Sequence, residues 1–187
     1  MTVELRDATK ADVRRIRSLY KIAFPKAERR PWRLIAQKRR QGLSDVWAIT
    51  ADGNFVGMAI TLNCDDRVLL DYFATEPECR GVGFGAAALA LLRKQYADKL
   101  FLLEVETTKT PSPDHDLRVR RKNFYLRCGM VEMPDYSANL FGVEMEILTA
   151  GDRLSFARYH EIYEKAFGTR LAKHVILVEN KPKNADF

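Results

Sequence analysis

The stretch from Val68 to Tyr96 limits the folds open to this chain more than any other. It begins with an apolar, aromatic run to Ala74 that is typical of a β-strand, and it ends with an alanine- and leucine-rich run too long for a strand. A polar link containing Pro77 joins the two runs, and three glycines follow it at positions 81, 83 and 85. The pattern predicts a strand, a loop and a helix. Because the glycines fall where the loop becomes the helix, the free N–H groups of the first turn can face a phosphate.

The rest of the chain predicts alternating strands and helices. The predicted strands are Val3 to Arg6, Val46 to Thr50, Phe55 to Leu62, Leu100 to Val105, Asp135 to Phe141 and Val143 to Leu148. The predicted helices run from a cap at Thr9 to near Pro25, from Trp32 to Gln41, from Asp116 to Arg127 and from Gly151-Asp152 to Gly168. The turn between the second and third strands is Ala-Asp-Gly-Asn, which is typical of a hairpin. Residues 175–178 fit either a strand or a helix, and the tail from Glu179 onward looks frayed.

This order of elements predicts an α+β fold. We expect a mixed, mostly antiparallel central sheet of about seven strands, with helices on both faces and an extra C-terminal helix. At 187 residues the chain has room for one domain, with a core over residues 1–149 and a C-terminal helical appendage and tail over residues 150–187.

Composition favours a soluble globular protein. The hydrophobic fraction is 47% and the charged fraction is 30%, and no apolar run approaches the roughly 18 residues that cross a bilayer. The N-terminal sequence has charges of both signs and lacks the apolar region of a secretory signal. Three widely spaced cysteines form neither a disulfide framework nor a metal clip. We therefore expect a cytoplasmic protein.

Positive charge is concentrated at the N-terminus. Residues 1–45 hold 13 Lys or Arg against 5 Asp or Glu, a net charge of +8, which leaves −2 for the remainder. Such a segment could meet nucleic acid, an acidic substrate or the phosphates of a cofactor, or it could be a solvated helix face. No known nucleic-acid reader motif accompanies it, so we do not expect nucleic-acid binding.

Dinucleotide binding is one interpretation of the glycine loop, because Gly81, Gly83 and Ala86 satisfy G-x-G-x-x-G/A before a helix. That fingerprint requires its strand to run almost directly into the first glycine. Here six residues, Thr75 to Arg80, intervene, and Pro77 prevents the strand from continuing. A second βαβ half is also missing, so this interpretation is disfavoured.

Two motifs carry a resemblance to a known family. The first is FATEPECRGVGFG (residues 73–85), in which Arg80, Gly83 and Gly85 fill an Arg/Gln-x-x-Gly-x-Gly/Ala core. The second is NFYLRCGM (residues 123–130), with Tyr125 and Gly129 at its defining positions. Together they resemble the two signatures of the GNAT N-acyltransferase superfamily, and the resemblance spans roughly residues 1–149. It implies the acyl-CoA N-acyltransferase fold.

The resemblance also implies a cosubstrate, acetyl-CoA, and a site for it. The pyrophosphate is expected on Arg80 and the backbone of Gly81, Val82, Gly83, Phe84 and Gly85. The pantetheine arm is expected along Phe73, Ala74 and Thr75, whose backbone N–H groups would also hold the thioester carbonyl oxygen. The sequence departs from the family at Arg118, where many members carry Asn, and at Arg121, where a small residue is usual. These arginines could bind phosphate instead, and we include Arg121 among the cofactor-binding residues.

Transfer of an acyl group to an amine also needs a general acid and a general base. By resemblance, Tyr125 is the acid that protonates the leaving thiolate. The base stays open among Glu104, Asp71 and Glu28, with Glu28 and Glu104 preferred; Glu28 is implied by family members that carry an acidic residue there in the acceptor cleft. No metal is expected, since the three histidines lack ligand spacing.

These residues predict an N-acetyltransferase in which a primary amine of a small molecule or peptide attacks acetyl-CoA directly, in a ternary complex. The alternative is an acyl-CoA-binding regulatory module of the same fold without transfer activity, an interpretation that the two arginines favour. The acceptor is not identified by the sequence. The sequence does not decide between a homodimer and a monomer.

Overall fold

A computed structural model describes residues 2–180 of the chain. Its strands, in chain order, are β1 (Val3–Asp7), β2 (Ser44–Ala51), β3 (Asn54–Cys64), β4 (Arg67–Thr75), β5 (Leu100–Glu106), β6 (Val131–Glu132), β7 (Tyr136–Leu140), β8 (Val143–Thr149) and β9 (Val175–Glu179). Its helices are α1 (Lys10–Ala23), α2 (Trp32–Arg40), α3 (Phe84–Gln95), α4 (His115–Arg127), α5 (Phe156–Phe167) and α6 (Thr169–Ala172).

The predicted α+β class with a mostly antiparallel sheet is confirmed. The described residues contain nine strands rather than about seven, because the two-residue β6 was not predicted and the undecided segment at 175–178 is a strand. The tail was predicted to be frayed from Glu179 onward, but Glu179 is the last residue of β9; residues 181–187 of that tail lie outside the described part. Within residues 2–180, no helix is both long and apolar enough to cross a bilayer.

The chain divides into two compact units, one ending at Phe101 and one beginning at Leu102. The predicted division near residue 149 stays a prediction. In the first unit, β1, β2, β3 and β4 pair in that order, each with its neighbour antiparallel. The hairpin between β2 and β3 turns at Asp52 and Gly53, which both have positive φ, 47° and 80°. A two-residue type I′ turn requires this conformation, and the predicted hairpin is confirmed.

Helices cover both faces of this four-stranded sheet. Ile16 of α1 and Ile35 of α2 share an apolar cluster with Met58 of β3. Ala88 of α3 belongs to a second cluster, with Ile49 of β2. Because successive side chains of a strand point to opposite faces, the two clusters fix α1 and α2 on one face of the sheet and α3 on the other.

A β-bulge interrupts β4 at Asp71. Tyr72 pairs with Ile60 of β3, whereas the next pair along the ladder joins Leu70 to Thr61. Asp71 is therefore an extra residue in β4, opposed by no residue of β3 in this ladder.

The bulge turns two consecutive side chains to the same face of the sheet. The Asp71 carboxylate lies 3.3 Å from the guanidinium of Arg30, in the loop between α1 and α2. The ring of Tyr72 packs edge-on against Tyr20 of α1, with a centroid distance of 4.8 Å. A regular strand would send these neighbours to opposite faces.

In the second unit, β5, β8, β7 and β9 are antiparallel neighbours in that order, and β6 also pairs with β8. The helix predicted to open at Gly151-Asp152 begins instead at Phe156, as α5. The difference arises because Ser155 is the N-cap: it has an extended backbone, and its hydroxyl accepts the N–H of Arg158 at 3.4 Å.

Candidate active site

The predicted strand, loop and helix are present as β4, a 3-10 turn (Pro77–Cys79) and α3. Gly83 is the N-cap of α3 with φ 93°, and Gly81 has φ 83°. Residues with a side chain rarely adopt such angles. A Cβ atom on either glycine would meet no atom within 4 Å. The backbone path therefore requires these glycines, and the space beside the loop is open.

The first turn of α3 presents its backbone N–H groups to this open space. Gly83 has no side chain that could cap them, and the N–H of Ala87 is the first that reaches back to the Gly83 carbonyl, at 3.1 Å. The N–H groups of residues 84–86 precede it and lack an acceptor within the helix. The exposed side chain of Arg80 adds a positive charge to the loop. This combination of a helix start and an arginine attracts phosphate.

The other predicted cofactor residues lie at the end of β4 and on the same loop. The backbone of Phe73, Ala74 and Thr75 pairs on one side with residues 57–59 of β3. The side chain of Ala74 is buried in the α1 and α2 cluster, whereas Phe73 and Phe84 pack against the α3 cluster. Val82 is exposed at the tip of the loop. The side chains of Phe73, Ala74 and Phe84 are therefore occupied by packing.

Tyr125 is a buried residue near the end of α4, with 8% of its surface exposed. Burial is the main cause that raises the pKa of its hydroxyl to about 12, and the charge of Arg121 opposes the shift. The ring of Tyr125 packs against Phe124, with a centroid distance of 5.1 Å. Tyr125 therefore keeps its proton at neutral pH and is able to donate it.

The two arginines that depart from the family motif differ in their surroundings. The Arg118 guanidinium lies 3.3 Å from Glu106 and 3.0 Å from Asp114, so two carboxylates hold it. Arg121 lies 3.8 Å from Glu106, and its side chain is 49% exposed. Arg118 thus links α4 to β5, while Arg121 is accessible to an anionic ligand.

Glu104 lies on β5 and is held by two tyrosines of α5. The hydroxyl of Tyr163 is 2.8 Å and 2.9 Å from the two carboxylate oxygens, and the hydroxyl of Tyr159 donates to Oε1. Both tyrosines are fully buried. Burial and the negative charge of Glu104 raise the pKa of Tyr159 well above its ordinary value. The hydroxyl of Tyr159 therefore stays protonated and keeps donating to Glu104.

Glu28 is exposed in the loop between α1 and α2. Its carbonyl oxygen accepts a hydrogen bond from Tyr72 at 2.8 Å, and the same hydroxyl accepts the N–H of Arg30 at 3.2 Å. These bonds attach the loop to β4. Nearby, burial raises the pKa of Asp71, and the charge of Arg30 opposes that shift.

A third charged cluster surrounds Lys122 of α4. Its ammonium lies 2.5 Å from Glu146 and 2.6 Å from Glu132. Glu146 is almost completely buried. Burial acts to raise the pKa of Glu146, but hydrogen bonds from Lys122 and Thr108 outweigh it and hold the pKa below its ordinary value. The cluster links α4 to β8 as a buried ion pair.

Metal and thiol chemistry receive no support from the described residues. Residues 2–180 contain no group of three or more His, Cys, Asp or Glu side chains that could hold a metal ion. Cys79 adjoins the loop, but burial and the charges of Glu78 and Glu76 raise the pKa of its thiol. A raised pKa disfavours the reactive thiolate.

The basic residues of the N-terminal segment lie partly along the outer face of α1. Lys10, Arg14, Arg17 and Lys21 are all exposed there. Others are paired within the first unit, such as Arg39, which lies 2.6 Å from Asp7. Part of the N-terminal charge is therefore a solvated helix face, one of the interpretations left open by the sequence.

Sequence reasoning missed the cluster of Lys122, Glu132 and Glu146. It also missed four partners of the candidate base residues: Arg30, Tyr72, Tyr159 and Tyr163. One signal was available for Tyr159 and Tyr163, because residues four apart lie on the same face of a helix. Their common target, Glu104, is more than 50 residues away in sequence and could not be inferred.

Comparison with protein-family models shows the family of this chain. Residues 13–130 match the family model described as acetyltransferase (GNAT) family. The chain is similar to a GNAT-family acetyltransferase structure from Bacteroides thetaiotaomicron, with 23% identity and a TM-score of 0.73, over 88% of this chain and 98% of that one. No protein with a curated description matches the sequence.

Two further solved structures are similar at lower identity. The ribosomal-protein-S18-alanine N-acetyltransferase of Escherichia coli has 18% identity and a TM-score of 0.60, over 83% of this chain and all of that one. An acetyltransferase of Bacillus subtilis in complex with CoA has 14% identity and a TM-score of 0.55, over 81% of this chain and 98% of that one. At such identities the likeness shows the fold, which is the acyl-CoA N-acyltransferase fold.

Proposed function

The chain belongs to the acetyltransferase (GNAT) family, and from this premise we propose that it is an acetyl-CoA-dependent N-acetyltransferase. Its acceptor is a primary amine of a small molecule or peptide, which attacks the thioester directly in a ternary complex. One observation carries the proposal: the start of α3 is open, lacks a capping side chain, and follows a loop that only glycines at 81 and 83 can form. This is the form that a pyrophosphate site takes.

The loop and the end of β4 hold the cosubstrate. The N–H groups from Gly81 to Gly85 bind the pyrophosphate, and Arg80 supplies charge beside them. Arg121, whose side chain is 49% exposed, is a further proposed cofactor-binding residue. The backbone of residues 73–75 guides the pantetheine arm and donates to the thioester carbonyl oxygen.

The reaction breaks one bond and forms one. The nitrogen of the neutral amine attacks the thioester carbonyl carbon, the C–N bond forms, and the C–S bond breaks with its electron pair going to sulfur. The amine nitrogen loses a proton to a base, and the thiolate gains one from an acid. The products are an amide and free CoA, so protons and electrons balance without a redox partner.

Tyr125 is the proposed acid. With a pKa of about 12 it is protonated at neutral pH. Because a free thiol has an ordinary pKa of about 8.5, proton transfer from Tyr125 to a finished thiolate is uphill. The hydroxyl therefore donates a hydrogen bond as charge develops on sulfur. The uphill proton transfer is completed because CoA leaves as the thiol, and the tyrosinate then takes a proton from water.

Glu104 is the preferred base, with Glu28 as the second candidate. The carboxylate of Glu104 has a fixed orientation, because two buried hydroxyls donate to it. Glu28 is exposed, and Lys26, Arg29 and Arg30 flank it in the sequence. A fixed carboxylate is better suited to accept a proton in a defined geometry.

The acceptor class is proposed from the family relatives. One similar structure is an N-acetyltransferase that acts on the alanine of a ribosomal protein. That activity makes a peptide amine the first acceptor to test, beside small-molecule amines.

The experiment pairs two measurements on the full chain. Calorimetry with acetyl-CoA measures binding, and a thiol reagent measures free CoA released when a panel of peptide and small-molecule amines is added. We expect binding and amine-dependent thiol release. Binding without thiol release for every amine would instead support the acyl-CoA-binding regulatory module, and absence of binding would refute both.

A further inference from the structure

The C-terminal helix α5 lies outside the part of the chain that matches the family model, which ends at residue 130. It nevertheless donates hydrogen bonds to Glu104, a residue inside that part. Tyr159 and Tyr163 lie four residues apart on one face of α5, and both hydroxyls point to the same carboxylate. A segment beyond the family match therefore contacts a candidate base.

The two tyrosines are rigid. Their exposed fractions are 0% and 1%, and their rings contact each other at a centroid distance of 5.7 Å. Tyr159 also packs against Phe156 and Tyr136, at 5.8 Å and 6.3 Å. Side chains packed in this way have little rotamer freedom, so their hydroxyls hold fixed positions.

The contacts on the carboxylate are unequal. Tyr163 spans both oxygens, whereas Tyr159 donates to Oε1 alone. The cross-strand neighbour of Glu104 on β8 is Ile147, which is apolar and buried. Glu106, two residues further along β5, is held by Arg118 of α4. From α5, the hydroxyls of Tyr159 and Tyr163 donate hydrogen bonds to Glu104.

We propose that Tyr159 and Tyr163 are positioning residues, which hold the Glu104 carboxylate ionised and correctly oriented to accept the proton of the attacking amine. The inference rests on the proposed function with Glu104 as base. Two donors per carboxylate stabilise its charged form and fix its plane. The C-terminal appendage is then part of the active site.

The first test is kinetic and uses four variants of the full chain: Tyr159→Phe, Tyr163→Phe, the double variant and Tyr136→Phe. The last is the matched control, because the Tyr136 hydroxyl donates to the Leu154 carbonyl at 2.9 Å, just before α5, and does not contact Glu104. Each loss of a hydrogen bond to a charged group is expected to lower kcat about tenfold. KM for acetyl-CoA stays unchanged.

The pH profile separates positioning from general loosening of the fold. In the double variant, the pH at which activity falls on the acid side is expected to rise by about one unit, since the ionised carboxylate has lost its donors. The Tyr136→Phe variant keeps the wild-type profile. In the Glu104→Gln background, neither Tyr159→Phe nor Tyr163→Phe should lower kcat further. An unchanged pH profile, or additive losses in the Glu104→Gln background, would overturn the proposal.

A second measurement does not depend on activity. With ¹³C-labelled glutamate, the Glu104 carboxyl signal, identified by its loss in Glu104→Gln, is titrated in wild type and in the double variant. We expect the midpoint to rise by about one unit in the double variant. If the wild type releases no thiol, the proposed function fails, and the titration alone decides whether the tyrosines hold the carboxylate. An unchanged midpoint would show that the tyrosines do not hold the carboxylate, and it would overturn the proposal.

Discussion

A Cβ atom built on Gly57 would lie 2.6 Å from the carbonyl oxygen of Ala74. Real Cβ atoms do not approach backbone this closely, so β3 and β4 must separate if residue 57 carries a side chain. Ala74 belongs to the strand end that is proposed to guide the pantetheine arm. The close approach of Gly57 to Ala74 therefore connects the packing of the sheet with the proposed site for the cosubstrate.

Replacing Gly57 with alanine should therefore weaken both stability and binding. We expect a loss of about 1–3 kcal/mol in the free energy of unfolding, and a higher Kd for acetyl-CoA because residues 73–75 shift. Urea unfolding and calorimetry measure the two effects. Gly53→Asn is the control, since asparagine tolerates positive φ and a Cβ there meets no atom within 4 Å. Equal effects from both variants would contradict the explanation.

The Tyr125→Phe variant should bind acetyl-CoA as wild type does and lose turnover. General acid catalysis contributes about 10²- to 10⁴-fold, so kcat should fall by a factor in that range. Calorimetry measures the binding of acetyl-CoA, and thiol release measures turnover. Phe124→Leu, next to it on α4, tests whether disturbing the helix is enough by itself. Unchanged turnover in Tyr125→Phe would remove this residue from the acid role.

Arg80 should bind the cosubstrate through charge, because it is exposed beside the uncapped start of α3. Arg80→Gln is expected to raise the Kd for acetyl-CoA by roughly three- to tenfold at low salt, and the difference should shrink as salt screens the phosphates. Lys94→Gln removes a charge from the last turn of the same helix and should have little effect. A salt-independent difference would argue against a phosphate contact.

Alkaline pH should destabilise the fold through its buried tyrosines. The pKa of Tyr125 is raised to about 12, and burial also raises the pKa of Tyr96, Tyr136 and Tyr159. A raised folded-state pKa gives stability that is complete below the unfolded value near 10 and is lost as pH rises through the folded value. For Tyr125 the loss is about 2–3 kcal/mol. Urea unfolding at pH 8 to 12, with tyrosinate absorbance recorded in parallel, measures this effect. Constant stability over that range would contradict it.

Removing Lys122 should leave Glu146 as a buried charge without its cation. Glu146 is 1% exposed, so Lys122→Met is expected to lower the free energy of unfolding by about 3–5 kcal/mol near neutral pH. The lowered pKa of Glu146 means that its contribution is present above the unfolded value and is lost as pH falls through the folded one, so the variant and wild type should converge in acid. Lys109→Met is the control: its ammonium is 3.7 Å from Glu132 and 43% exposed, and the loss should stay below about 1 kcal/mol. Equal losses in both would refute the buried pair.

Local signals in the sequence were enough to predict the loop at the start of α3. Glycine and proline restrict the backbone wherever they occur, so the link after β4 and the positive φ values at Gly81 and Gly83 follow from residue type. The Asp52-Gly53 hairpin was predictable for the same reason. The fold class followed from the order of these elements.

Contacts between distant residues were not predictable from local signals. The hydrogen bonds from α5 to Glu104 depend on how β5 and α5 pack in three dimensions. The strand at 175–178 was undecided because four apolar residues fit a strand or a helix equally, and its pairing with β7 settles the choice. The start of α5 was misplaced because Gly151-Asp152 and Ser155 both resemble helix caps. The cap is Ser155, whose hydroxyl accepts the backbone N–H of Arg158.

The extra residue at Asp71 has a consequence for anyone aligning this sequence with a relative whose corresponding strand is regular. Side chains before and after the bulge do not follow a single alternation. An ungapped alignment that assigns Phe73, Ala74 and Thr75 to the correct sides of the sheet must therefore assign residues 68–70 to the wrong ones. A one-residue gap within the strand, normally penalised as an error, is here the physically correct alignment.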